Sequence, residues 1–286
     1  PADRHADRHA DRHAMCSSSG KNLPLIDLRG TTGRPSMLAS LITGEKQTLI
    51  IVDCAYRTLE LAAYLRRASS NYDRPVAFLH HQLSPAEREA ILYFFTEGTI
   101  KTLVTTSSFL PALKDTKIDQ LMVYNLPCDQ QEWLSTLAVP LPEKTGQVYL
   151  LFGKGDIKAL ETHLFSLAPD RNSLARLYML TRQLNNENVL RLLTGLTSTL
   201  QKSGLKWFRE YTAGIGLAVF HELGLIECHR QDDQYIISLP PAPKEKLNLE
   251  DSRTFRRGQK MKDRVKIWQE RLLSVPVKEA GFLAGE

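Results

Sequence analysis

A cluster of basic residues near the end of the chain is the first feature that could do chemistry. Between Arg253 and Arg271 the sequence holds eight Lys or Arg residues against two acids, a net charge of +6 over nineteen residues. Cations at this density can neutralise nucleic-acid phosphates and release their counterions. The candidates for such contacts are Arg256, Arg257, Lys260, Lys262 and Lys266. The alternative is a solvated face on a helix that docks through its other side.

Residues that bind metals or form disulfides are present, but their spacing is unfavourable. The four cysteines are far apart and no pair has Cys-x-x-Cys spacing, so we expect buried free thiols in a cytosolic protein. His80 and His81 have no neighbouring Asp, which argues against a metal site there. An Ala-Asp-Arg-His repeat precedes Met15 and predicts an expression tag over residues 1–14. We therefore expect no catalytic residue, metal or cofactor in this chain.

Length and composition are those of a globular chain with room for two domains. The chain has 286 residues, of which 42% are hydrophobic and 24% are charged, and these values exclude a disordered protein. The net charge of +5 permits contact with nucleic acid without requiring it. No run approaches the roughly 18 apolar residues of a membrane span, and no secretory signal is recognisable. These features favour a cytoplasmic protein.

Short apolar segments alternate with helical ones between residues 48 and 152. They are rich in β-branched residues, as strands buried on both faces are. The five segments are Thr48–Asp53, Val76–His80, Ile100–Thr106, Gln120–Tyr124 and Gln147–Phe152. Between two of them, Ser84, Pro85 and Glu87 have the types and spacing of a helix start. The alternation predicts an α/β fold with a parallel sheet and flanking helices.

A short strand is also expected over Pro24–Gly30, after a flexible lead-in at Cys16–Asn22. Asp27 and Arg29 fall on the same side of that strand, since side chains alternate along it. A structural ion pair is the preferred interpretation of this pair, and catalysis is the other.

The α/β alternation ends near residue 170. Apolar spacing predicts helices over Asn172–Leu184, Glu187–Lys202 and Gly216–Leu223, followed by a hairpin of Ile226–Arg230 and Gln234–Leu239. Three helices and a two-stranded hairpin predict a smaller winged-helix (α+β) domain, which is often used on DNA and also for protein contacts. Lys202, Lys206 and Arg209 are further candidates for nucleic-acid contact.

A last helix is predicted over Asn248–Leu273, after the proline-rich linker Pro240–Lys246. Met261, Val265, Trp268 and Leu272 form one apolar stripe, which predicts the docking side of that helix. The predicted organisation is therefore a tag at 1–14, a lead-in with a short strand at 15–46, an α/β lobe at 47–170, the winged-helix domain at 171–239, and the linker with a basic helix at 240–286.

The stretch Thr48–Phe152 resembles the second RecA-like lobe of superfamily-2 helicases, the RecQ group in particular. The resemblance rests on Leu79-His80, Leu83–Arg88, Val104-Thr105-Thr106 and Val123–Pro127, which occur in the family's order and spacing. It implies a RecA-like sheet, and it assigns Thr105 and Thr106 to positions that contact backbone phosphate.

The same resemblance has one clear departure. The family's Gly-Arg-x-Gly-Arg, whose arginines reach the ATP γ-phosphate, is replaced here by Leu137–Pro142, and no arginine occurs between Gln130 and Gly153. Because positioned cations stabilise the charge that gathers in the transition state of phosphoryl transfer, we expect no ATP hydrolysis by this chain.

The order of parts also resembles the C-terminal accessory domain of long-form bacterial RecJ exonucleases. This resemblance rests on Asp27-Leu28-Arg29 and on Leu249–Phe255 before a charged helix. It implies a non-catalytic fragment of a 5′-to-3′ single-stranded DNA exonuclease of recombination and repair, whose divalent metal, Mg or Mn, lies in the parent catalytic core. The implied partners are single-stranded DNA, single-stranded DNA-binding protein, a RecQ-type helicase and the rest of the exonuclease. A winged-helix regulator and the second lobe of a helicase ATPase remain the alternatives.

Overall fold

A computed structural model describes residues 13–18, 21–68, 75–143, 145–184, 189–204, 209–231, 234–241, 243 and 247–280. The chain divides into two compact units. Unit 1 comprises Pro1–Ile157 and Trp268–Glu286, and unit 2 comprises Lys158–Ile267. The segment boundaries predicted from the sequence stay a prediction.

Unit 1 is built on a seven-stranded sheet. Its strands are β1 (His13–Ser18), β2 (Lys21–Asp27), β3 (Thr48–Val52), β4 (Val76–Leu79), β5 (Thr102–Thr106), β6 (Gln120–Val123) and β7 (Gln147–Leu150), in the order β1-β2-β7-β6-β3-β5-β4. All neighbours pair in parallel except β1, which is antiparallel to β2. The six parallel strands with flanking helices form a RecA-like α/β fold, as predicted.

The helices of unit 1 follow the strands. They are α1 (Arg34–Leu41), α2 (Ala55–Ala68), α3 (Pro85–Thr96) and α4 (Gln130–Leu137), with a 3₁₀ helix at Ser107–Leu113. One face of the sheet packs with α1 and α2 in a core that includes Leu38, Ile50, Leu61 and Met122. The predicted start of α3 is confirmed, because Ser84 and Glu87 form a reciprocal capping box.

Unit 2 contains helices and a small hairpin. The helix α5 (Gly155–Leu167) begins at the end of unit 1, and α6 (Arg171–Gln183), α7 (Val189–Lys202) and α8 (Glu210–Glu222) follow. Strands β8 (Glu227–Gln231) and β9 (Gln234–Ser238) form an antiparallel pair. Leu177, Leu196, Leu217 and Phe220 lie in its core, which explains the apolar spacing of these helices.

The last long helix, α9 (Arg253–Ser274), follows a 3₁₀ turn at Leu249–Asp251 and precedes the short α10 (Val277–Ala280). The predicted apolar stripe is only partly correct. Val265 and Leu272 are buried, but Met261 is 40% exposed. The buried side of the helix includes Gln269 instead. Because Gln269 is polar, the apolar pattern of the sequence did not identify it as part of the buried face.

Two further predictions need correction. The lead-in at Cys16–Asn22 contains part of β1, which pairs with β2 through backbone hydrogen bonds that need no apolar pattern. Cys54, Cys128 and Cys228 are free, as predicted, but Cys54 and Cys228 are exposed. Burial, with the carboxylates of Glu132 and Asp129 nearby, raises the pKa of Cys128 to about 12 and keeps it a thiol.

Candidate nucleic-acid interface

The basic residues of α9 lie mostly on its solvent side. Arg256, Arg257, Lys260 and Lys266 are exposed, while Lys262 is half-buried. Within the described part of the chain, none of these five cations pairs with a carboxylate. Cations that are neither buried nor neutralised keep their full attraction for an anion.

The start of α9 is held by the carboxylate of Glu222, at the end of α8. This carboxylate accepts hydrogen bonds from Ser252 Oγ at 2.6 Å, Thr254 Oγ1 at 2.6 Å and the Thr254 backbone N–H at 2.8 Å. Burial raises the pKa of Glu222, but the hydrogen bonds from Ser252 and Thr254 outweigh it and lower that pKa to about 2. The ionised carboxylate therefore fixes the first turn of the basic helix and caps its N-terminus.

Two of the three further cations predicted in this part of the chain are described by the structure. Lys202, in the last turn of α7, is exposed, and so is Arg209, which immediately precedes α8. Lys206 lies outside the described residues. All three stay predictions as nucleic-acid contacts.

The structure corrects the prediction for the two threonines of β5. Thr105 is fully buried, and its hydroxyl donates to the carbonyl oxygen of Leu79 at 3.0 Å. Thr106 is 8% exposed, and its hydroxyl shares a 2.8 Å hydrogen bond with that of Ser108. All five residues of β5 are buried, so both faces of the strand are covered. Thr105 cannot reach a phosphate in this arrangement, and only the end of β5, at Thr106, approaches the surface.

A second polar cluster, missed in the sequence, lies at the carboxyl ends of β6 and β7. Arg34 forms a bidentate ion pair with Asp156, with N···O distances of 2.9 and 3.0 Å, and also donates to the carbonyl oxygen of Tyr124. Asp156 accepts further hydrogen bonds from the Asn125 side chain and the Gly153 backbone. Bidentate Arg–carboxylate pairs are strong, and they fix the orientation of the two side chains. These partners are up to 122 residues apart, so no local spacing could reveal them.

Helix α4 occupies the place just before the missing helicase arginines. Its Trp133 is fully buried, meets the Phe152 ring edge-on at a centroid distance of 6.2 Å, and donates from Nε1 to the carbonyl oxygen of Ala280. Asp129 caps the helix by accepting from the backbone N–H of Glu132. The helix contains no arginine, and its Trp133 anchors it in the core of unit 1.

His80, Asp27 and Arg29, the other residues considered from the sequence, are in contact with other parts of the protein. His80 is 4% exposed, and burial, together with electrostatic repulsion from His81, lowers its pKa. The predicted Asp27–Arg29 ion pair is confirmed at 2.8 Å, and Arg29 also donates to the carbonyl oxygens of Leu272 and Val275. Among the described residues no helix is both long enough and apolar enough to span a membrane.

Residues 33–137 match the family model of the helicase conserved C-terminal domain. No curated protein matches the chain. Among solved structures, a DEAD box protein from the hyperthermophile Methanococcus jannaschii is 20% identical, with a TM-score of 0.40 over 47% of this chain and 37% of that one. This chain therefore spans little more than a third of that protein.

Two further solved structures show a similar level of likeness. The E. coli DEAD-box protein SrmB, bound to the regulator of ribonuclease activity A, is 16% identical, with a TM-score of 0.39 over 48% of this chain and 80% of that one. A Dbp5 variant of S. cerevisiae, bound to RNA and ADP BeF3, is 18% identical, with a TM-score of 0.38 over 48% of this chain and 37% of that one. These likenesses concern the fold alone.

The RecJ prediction is wrong. The family match, over residues 33–137, is to a helicase domain and not to an exonuclease. The exonuclease and winged-helix interpretations are wrong with it, because a pattern of three helices and a hairpin identifies elements and not a family. Of the alternatives, the second lobe of a helicase is the one that these findings support.

Proposed function

We propose that this chain serves as a helicase-type C-terminal lobe that holds nucleic acid by charge and does not itself hydrolyse ATP. The observation that carries the proposal is a set of exposed cations on α9 that pair with no carboxylate among the described residues: Arg256, Arg257, Lys260 and Lys266. The RecA-like sheet of unit 1 and the match of residues 33–137 to the helicase C-terminal domain support it.

The contact surface in this proposal is electrostatic. Lys202 and Arg209 are exposed as well and add charge in the same unit as the first half of α9. Charge contacts to phosphates carry no sequence information, so binding should tolerate any sequence and weaken as salt rises. Single strands of RNA and of DNA both present such phosphates. RNA is included because the solved Dbp5 structure holds it.

Hydrolysis of ATP is not part of the proposed function. No arginine lies between Gln130 and Gly153, and the neighbouring Trp133 is committed to the core. The arginines that would stabilise the charge on a transferring phosphoryl group are therefore missing from this stretch.

The proposal is tested by fluorescence anisotropy with labelled single-stranded RNA and DNA of equal length. The parent is compared with the triple variant Arg256→Gln, Arg257→Gln, Lys260→Gln. The matched control is Arg67→Gln, Lys114→Gln, Lys117→Gln, which removes three exposed positive charges from unit 1. The triple variant should bind at least about tenfold more weakly, since several phosphate contacts are lost, while the control binds as the parent does.

Two results would reject the proposal. One is equal weakening in both variants, which would indicate a diffuse effect of net charge. The other is no binding by the parent at low salt. In that case a protein partner for the basic face is the better explanation. SrmB, one of the solved neighbours, is an example of a DEAD-box protein solved with a protein bound.

A further inference from the structure

Two glycine-rich loops line a cleft at the carboxyl edge of the sheet in unit 1. The loop after β2 contributes Arg29, Gly30, Thr31 and Arg34, and the loop after β7 contributes Gly153, Lys154 and Gly155. The cleft has a volume of about 510 Å³, and Leu273 supplies an apolar wall. Because β2 and β7 are parallel neighbours, both loops leave the sheet at the same edge, which is where open α/β sheets bind their ligands.

The glycines leave bare main chain at the cleft. A Cβ atom added at Gly30 or at Gly155 would meet nothing within 4 Å, so a ligand can approach the backbone closely at both places. At Gly153 an added Cβ would come within 3.2 Å of the Gly30 backbone. The absence of a side chain at Gly153 therefore lets the two loops come together, while Gly30 and Gly155 keep the space between them open.

The cleft has three positively charged side chains. Two of them are held in ion pairs, and the third is available to bind a ligand. Arg29 pairs with Asp27, and Arg34 pairs with Asp156. These two arginines are largely covered and keep the loops in place. Lys154 is exposed, and within the described residues it forms no ion pair. Three cations against two carboxylates leave the cleft with one positive charge, which is carried by the Lys154 ammonium.

We propose that this cleft binds a small molecule through its phosphate group. An ammonium beside glycine main chain matches the chemistry of phosphate recognition, in which a lysine and close backbone approach act together. The volume falls within the range of about 300–1,000 Å³ that is usual for small-molecule sites. It leaves room beyond the phosphate for an organic portion against Leu273. None of the α9 cations lines this cleft, and the proposal does not depend on the proposed function.

The test uses the full chain and three phosphate probes: inorganic phosphate, pyrophosphate and a nucleoside monophosphate, each titrated by calorimetry. Lys154→Gln removes the available charge. Gly155→Val adds a side chain at a position where a Cβ atom would meet nothing within 4 Å. Lys158→Gln is the matched control, because it removes the same charge from an exposed lysine four residues further along that does not line the cleft. Circular dichroism confirms that each variant is folded.

The parent should bind at least one probe at a single saturable site. Lys154→Gln and Gly155→Val should each weaken that binding by about tenfold or more, and Lys158→Gln should leave it unchanged. Tighter binding of the nucleoside monophosphate than of inorganic phosphate would identify the organic portion as part of the ligand, and equal binding would limit recognition to the phosphate.

Other results would overturn the proposal. These are an absence of saturable binding to all three probes, equal effects of Lys154→Gln and Lys158→Gln, or normal binding by Gly155→Val. If Lys154→Gln weakens the binding of a single-stranded oligonucleotide while the parent binds none of the small probes, the cleft is a nucleic-acid contact and the small-ligand proposal is wrong. The α9 triple variant should bind the phosphate probes as the parent does, so failure of one proposal can be told from failure of the other.

Discussion

The sequence suggests a phosphate contact at or next to both helix α4 and helix α9. The key side chain of α4 is buried, whereas those of α9 are exposed. In α4, at the position before the helicase arginines, Trp133 is fully buried and hydrogen-bonded to Ala280. In α9, Arg256, Arg257 and Lys260 are exposed, and in the part of the chain that the structure describes they pair with no carboxylate. The position of an element in a family pattern therefore does not give its role. Exposure and unpaired charge are better guides to where an anion can bind.

The largest expected effect tests whether α4 is structural. Trp133→Ala removes a fully buried aromatic side chain together with its contacts to Phe152 and Ala280. The expected loss is about 3–5 kcal/mol of the free energy of unfolding. Urea denaturation, followed by circular dichroism, measures it.

The control for that substitution is Tyr56→Ala, another aromatic residue in unit 1 that is 73% exposed. It should change the free energy of unfolding by about half a kcal/mol or less. Equal losses for the two variants would mean that α4 is not anchored through Trp133, and the contrast with α9 would disappear.

The second prediction concerns the docking side of α9. Leu272 is fully buried, whereas Met261, in the same predicted stripe, is 40% exposed. Leu272→Ala should cost about 2–5 kcal/mol, and Met261→Ala about half a kcal/mol or less. Chemical denaturation distinguishes the two, and a large loss for Met261→Ala would show that the helix docks along the whole stripe.

A smaller effect is expected at the start of α9. Glu222→Gln removes the carboxylate that accepts from Ser252 and Thr254, and losing such a cap costs about 1–2 kcal/mol. The pKa of Glu222 is lowered from 4.5 to about 2, so its contribution is complete above pH 4.5 and is lost as the pH falls towards 2. Denaturation at pH 7 and pH 3 measures this. A Glu222→Gln variant whose stability matches the parent at pH 7 would show that the hydrogen bonds to Glu222 contribute nothing to stability.

Much of the fold could be predicted, because local signals determine it. The strands β3 to β7 are short apolar runs bounded by turns, and the start of α3 at Ser84 has complete capping chemistry. The Asp27–Arg29 pair followed from alternation within a single strand. Each of these features lies within a few residues of chain, where periodicity and turn chemistry act.

The rest depends on contacts between distant residues. Arg34 meets Asp156, and Trp133 meets Ala280, across 122 and 147 residues. Strand β1 has no apolar pattern of its own and forms by pairing with β2. Thr105 is buried because both faces of β5 are covered, and distant parts of the chain provide that cover. The cleft beside Lys154 likewise exists only once β2 and β7 are neighbours.

The most direct test of the central claim is the salt dependence of single-stranded nucleic-acid binding. Each phosphate contact adds about 0.7 to the slope of log affinity against log salt concentration. The triple variant Arg256→Gln, Arg257→Gln, Lys260→Gln should therefore show a slope shallower by about 2 than that of the parent. An unchanged slope would contradict the account, because it would mean that the exposed cations of α9 do not contact the strand.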